Sequence, residues 1–81
     1  MDDKTVVDAF LDTVMNQLET GDPPETKATL DRLMSEGYSK SQALQAIAAV
    51  LRVEMSRMIN EMKPFDSARY AELLSKIKGE A

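Results

Sequence analysis

Apolar residues recur at helical spacing through most of this chain, and turn chemistry separates them into four segments. In the first, Val7, Leu11, Val14 and Leu18 follow one another at steps of four, three and four, and Val6, Phe10 and Met15 widen the same stripe. This pattern predicts an amphipathic helix over residues 4–19 with that face toward a core. Asp2 or Asp3 is placed to cap it, Gly21 can supply a left-handed stop, and Asp22-Pro23-Pro24 prevents continuation.

The same Asp22-Pro23-Pro24-Glu25 run reads as the start of a second helix over residues 23–36. Asp22 caps, proline is tolerated in the first turn, and Glu25 completes a capping box. Its apolar set is Ala28, Leu30, Leu33 and Met34. Gly37 ends it, and Tyr38 stands where a Schellman motif folds an apolar side chain back onto Leu33.

One residue later Ser39-Lys40-Ser41-Gln42 forms another capping box, opening a helix over residues 40–62 that is about 34 Å long at 1.5 Å per residue. Residues 43–51 are apolar on nearly every side, so this helix must be surrounded and is expected to be the hub of the fold. Leu44, Ile47, Leu51, Met55, Met58 and Met62 trace one stripe, and Ala43, Ala46, Val50 and Val53 a second. After Pro64, Asp66 caps a last helix over residues 67–78, with Phe65 and Tyr70 placed as a hydrophobic staple. Tyr70, Leu73, Leu74 and Ile77 give its inner face and Gly79 its end. No strand pattern competes, so residues 1–81 are expected to form a single all-α domain, a four-helix bundle with one long central helix.

Composition narrows the chemistry. At 43% hydrophobic and 30% charged residues, the chain is that of an ordered globular domain. It contains no cysteine, which excludes a disulfide framework and thiolate chemistry, and no histidine, the commonest general base and metal ligand. Residues 1–36 hold three basic against nine acidic side chains, and residues 37–81 hold seven against five. An acidic half facing a mildly basic half favours docking of the two, within one chain or between chains. Neither a basic leader followed by a long apolar run nor a membrane-length apolar stretch is present, and the expected location is the cytoplasm.

Few constellations suggest catalysis. Asp8 and Asp12 lie one helical turn apart, but such pairs bind metal in bundles together with further Glu and His ligands, so a solvated acidic face is expected. Glu54 and Glu61 share a face with Arg57 between them, which predicts ion pairing on an exposed helix surface. Ser39, Ser41, Ser56 and Ser67 have no histidine to activate them, and no glycine-rich phosphate loop occurs. No enzyme activity, cofactor or metal is expected.

Binding is better supported. Met55, Met58, Ile59 and Met62 form a methionine-rich patch on the distal half of the long helix, and Met adapts to irregular partners. Together with Tyr38, these are the candidate partner-binding residues of a small protein-interaction or assembly module, its partner another protein or a second copy. A helix-turn-helix outline offers an alternative, with Lys40, Ser41, Gln42 and Gln45 toward bases. The sequence pI near 4.7 argues against it, since the phosphate-neutralising charge is missing.

Two resemblances add expectations. Glu36-Gly37-Tyr38-Ser39-Lys40-Ser41-Gln42-Ala43-Leu44-Gln45-Ala46, preceded by Leu33-Met34, resembles the first loop and second helix of ubiquitin-associated domains. That likeness implies a peptide- or protein-binding role for Gly37 and Tyr38, although the helix after the loop is far longer here. More broadly, residues 21–77 are similar to small bacterial helical domains of unknown function. They share Gly-Asp-Pro-Pro-Glu, Arg32-Leu33, Gly37-Tyr38-Ser39, an alanine-rich long helix with Glu54, and Pro64-Phe65-Asp66 ahead of Arg69-Tyr70. This second likeness implies a bacterial helical domain and assigns no site residues.

Overall fold

A computed structural model of the protein describes residues 3–77, with side chains from Ala9 onward. Four helices follow in order: α1 (Asp3–Thr20), α2 (Pro24–Ser35), α3 (Lys40–Glu61) and α4 (Ser67–Ser75). The all-α expectation holds, and no strand occurs among the described residues. Asp2 as a cap and Gly79 as a stop lie outside the described residues, as do the side chains of Val6 and Val7.

The turns are built largely from the chemistry their residues dictate. Gly37 takes φ +107°, so the Tyr38 amide reaches Leu33 O at 3.0 Å and the Gly37 amide reaches Met34 O at 3.2 Å, the two bonds of a Schellman motif. Ser39 accepts from the Gln42 amide at 3.1 Å while Gln42 Oε1 accepts from the Ser39 amide at 2.9 Å, completing the capping box. Asp66 accepts from the Arg69 amide at 3.1 Å, and the Phe65 and Tyr70 rings meet at 5.5 Å as a staple. The expected box at Asp22 and Glu25 does not form. Helix α2 begins one residue later, so Pro23 is the N-cap and has no side-chain acceptor to offer. At its other end α4 stops at Ser75 rather than continuing to residue 78, closing with amide bonds from Lys76 to Leu73 O and from Ile77 to Leu74 O.

Among the described residues α2 and α3 each pack against all three of the other helices, and α1 and α4 are the one pair whose backbones do not meet. Ala43, Ile47, Ala48 and Leu51 of α3 join Val14, Leu30, Leu33, Tyr70 and Leu74 in a single core. The helix is less enclosed than its composition predicts, since Ala49, Val53, Ser56 and Asn60 face solvent. Two further differences concern width. Met15 on α1 and Met34 on α2 are exposed, and α2 instead turns Thr26, Thr29, Leu30 and Leu33 inward. Both threonines lie on the apolar-periodic face, three residues apart and in step with Leu30 and Leu33.

Thr26 is tolerated in the core because it belongs to a three-member network. It donates to Gln17 Oε1 at 2.7 Å, Tyr70 Oη donates to the same oxygen at 3.2 Å, and the two hydroxyls lie 3.3 Å apart. Each hydroxyl has one proton and the amide oxygen two lone pairs, so both donors are used on Gln17. Burial pushes the Tyr70 hydroxyl pKa up, which keeps the phenol neutral. The backbones of α1 and α4 are not neighbours, and the Gln17–Tyr70 bond is a direct polar tie between them.

Removing one donor should cost little, because Gln17 keeps its bond from Thr26. Tyr70→Phe is expected to lower unfolding free energy by about 1 kcal/mol in urea titration, whereas Tyr70→Ala, which empties the core position, should lose about 3–5 kcal/mol.

Candidate functional site: the distal half of the long helix and its turn into the last helix

The distal half of α3 carries one buried charge. Glu54 is fully buried, with a relative exposure of 0%, although its position beside Arg57 predicted an exposed ion pair. The reason is the return of the chain. Helix α4 lies across this part of α3 and brings Arg69 Nε to 3.5 Å from Glu54 Oε2, while the Asp66 backbone N–H also donates to the carboxylate. Arg57 closes the other side, donating from Nη2 to Oε1 at 2.6 Å and from Nε to Oε2 at 3.1 Å. Arg57 also reaches Glu61 at 3.4 Å, so the Glu54–Arg57–Glu61 series read from the sequence is present with one member inside the fold.

Electrostatically, the site is arranged to hold a carboxylate. The Arg57 hydrogen bond is the largest influence, and it outweighs the burial that opposes ionisation, so the Glu54 pKa is lowered. Arg57 is reciprocally held in its cationic form. Neutralised in this way, the buried group joins three pieces of chain: the α3 helix, the turn before α4, and α4 itself. Arg32 makes a second tie to α4, donating to Leu74 O at 3.0 Å while its other nitrogen pairs with Glu36 at 2.9 Å.

The candidate binding residues separate by position. Tyr38 and Met55 pack against the core and Met58 is half-buried, whereas Ile59 is 77% and Met62 93% exposed. Geometry explains the gradient. Leu11 shares a groove with Leu44 near the start of α3, and Gln17 bonds Tyr70, whose neighbour Arg69 pairs with Glu54. Helix α1 therefore runs beside α3 in the same sense and ends near the level of Glu54. The stripe Leu44, Ala48, Leu51, Met55 continues to Ile59 and Met62, past the end of the helix that covers its first half.

Met62 is unusual in its backbone as well. It terminates α3 at φ 52°, ψ 45°, a left-handed conformation that glycine normally supplies, while the Met62 and Lys63 amides both bond Met58 O. Opposite this stripe Ala49, Val50, Val53 and Leu73 line a second, shallower apolar groove between α3 and α4. Sequence reasoning did not mark Glu54 as interior, and the available signal was Arg69. Two arginines from separate helices within reach of one carboxylate indicate a shared, enclosed charge.

Gln42, a candidate base-contacting residue, spends its side chain on the α3 cap. Among the described residues no three His, Cys, Asp or Glu side chains gather to hold a metal ion, and no helix is long and apolar enough to cross a membrane. Comparison with protein-family models, with curated proteins and with solved structures finds no match to this chain.

The pH dependence follows from Glu54. Its folded pKa lies below the ordinary value of 4.5, so between the two the unfolded state binds more protons. Stability from this group is therefore complete above pH 4.5 and is lost as pH falls through the folded pKa. Glu54→Ala is expected to lose about 3 kcal/mol near neutral pH, since it leaves Arg57 without its inner partner, and to flatten the acid limb of a stability-versus-pH curve measured by urea titration.

Proposed function

We propose that the protein is a non-catalytic protein-interaction or assembly module that binds through the distal half of α3. The observation that carries this reading is the apolar stripe that outruns α1, leaving Ile59 and Met62 in water. Exposed apolar residues are common singly, but these two lie on one stripe, close to one another and continuous with the packed interface between α1 and α3. An added helix from a partner would extend the packing that α1 begins. Methionine at Met55, Met58 and Met62 suits such a surface, because its unbranched thioether accommodates different shapes.

The buried Glu54 supports the same reading indirectly. It fixes the turn that follows α3, so the exposed stripe is presented by a positioned helix end rather than by a loose segment. The partner is another protein or a second copy of the chain, and the cytoplasm is the proposed location. No cofactor is invoked.

Two surface substitutions test this directly. Ile59→Glu should leave thermal stability nearly unchanged, as exposed substitutions usually do, and should abolish capture of partners by the immobilised protein. Val53→Glu, on another face at 52% exposure, should retain capture. Equal capture by wild type and Ile59→Glu would remove this surface from consideration.

A further inference from the structure

We propose that Met62 is a site of reversible oxidation by hydroperoxides, and that its sulfoxide closes the end of the α3 stripe to partners while leaving the fold intact. The oxidation stands on the structure of the turn, and its effect on partners rests on the binding role proposed above.

Neither packing nor backbone calls for methionine at this position. Met62 is 93% exposed, so its side chain adds almost nothing to the core, and its φ of 52° is one that glycine adopts without the cost of a Cβ. Residues that break a local rule with no packing gain concentrate where the side chain itself is used. Beyond apolar contact, a methionine in water offers a thioether that is oxidised and can be reduced again.

Composition directs oxidants to such groups. The chain has six methionines and no cysteine, so no thiol competes for a hydroperoxide. Among the described residues Met15 at 51% and Met34 at 44% are exposed on other helices, Met55 and Met58 are partly buried, and Met62 is the most open.

The step balances with the peroxide as the only oxidant. A lone pair of the Met62 sulfur attacks the terminal peroxide oxygen, forming the S–O bond as the O–O bond breaks. The departing oxygen keeps the electron pair, takes up the proton and leaves as an alcohol, or as water from hydrogen peroxide. Sulfur loses two electrons and the peroxide gains them. A dithiol-dependent sulfoxide reductase returns two electrons and releases water.

The exposure gradient turns one chemistry into two consequences. A sulfoxide at Met62 lies in water at the end of the stripe through Met55 and Ile59, so it costs the fold little and removes the outermost apolar contact. A sulfoxide at Met55, which packs against the core, disrupts packing instead. Because the open end reacts first, the first response is a change of surface and not unfolding.

The test exposes the full chain to dilute hydrogen peroxide, natively and in urea, and follows each methionine over time by peptide mass mapping. Native Met62 should oxidise within about twofold of its rate in urea, with Met15 and Met34 slower and Met55 and Met58 slowest. Protection of native Met62 equal to that of Met55 overturns the site.

For the consequence, Met15→Leu and Met34→Leu remove the other exposed methionines among the described residues. The species oxidised at Met62 is then compared with the reduced protein by thermal melting and by capture of those partners that Ile59→Glu releases. Oxidation should leave the melting temperature unchanged and abolish that capture, and methionine sulfoxide reductase with dithiothreitol should restore it. Adding Met62→Leu should make capture insensitive to peroxide. Capture that survives oxidation, or is lost equally with Met62→Leu, overturns the switch and keeps the binding surface. If no capture depends on Ile59, the surface and its switching fall together, while the mapping still decides the oxidation site.

Discussion

A single enclosed carboxylate organises the less obvious half of this fold. Glu54 lies on the buried side of α3 and is removed from water, so its charge has to be met by groups that can follow it there. Arg57 comes from the next turn of the same helix, at no topological cost. Arg69 and the Asp66 amide come from beyond the turn, so satisfying the charge fixes where α4 lies. Replacing such a group by an apolar one of equal shape is often neutral, and what the charge adds here is position. It makes the short α4, which has nine residues and little area of its own, sit in one register.

The structure divides accordingly into two regions held by different means. Around Leu33, Ala43, Ile47 and Val14 the packing is apolar and the helix ends are closed by glycine and capping boxes. Around α4 the apolar contacts of Tyr70 and Leu74 are supplemented by three polar ties, to Gln17, Arg32 and Glu54. Elements held by specific polar contacts above a modest apolar area are those that open first while the rest stays folded. The exposed end of α3 adjoins this region, which is where the function proposed for the chain resides.

Most of the fold was legible in the sequence because its local signals agree with one another. Gly37 before Tyr38, the Ser39–Gln42 box and the Phe65–Asp66–Tyr70 staple each rest on contacts between near neighbours, and each is present as expected. Departures occur where a distant element decides. Glu54 beside Arg57 looks like a surface pair until α4 returns over it, and Thr26, absent from the apolar set read for α2, is held inside where Gln17 and Tyr70 converge on it. Asp22 and Glu25 had the right residues for a box, but the helix started one position later. The methionine patch was legible as a stripe and not as a gradient, because its exposure depends on where α1 ends. Met62 gave no signal at all for its left-handed backbone, a position where glycine is the usual choice.

The central claim is that α4 is a separately held element whose seat depends on ionised Glu54. Native-state hydrogen exchange resolved by residue, followed as pH is lowered through the range below 4.5, tests it most directly. The account predicts that amides of Ser67–Ser75 exchange through an opening of lower free energy than those of Ile47, Ala48 and Leu51, with the difference widening as Glu54 is protonated. A single opening free energy shared by α3 and α4 at every pH would contradict it, and would mean that the two helices unfold as one unit whatever the state of the carboxylate.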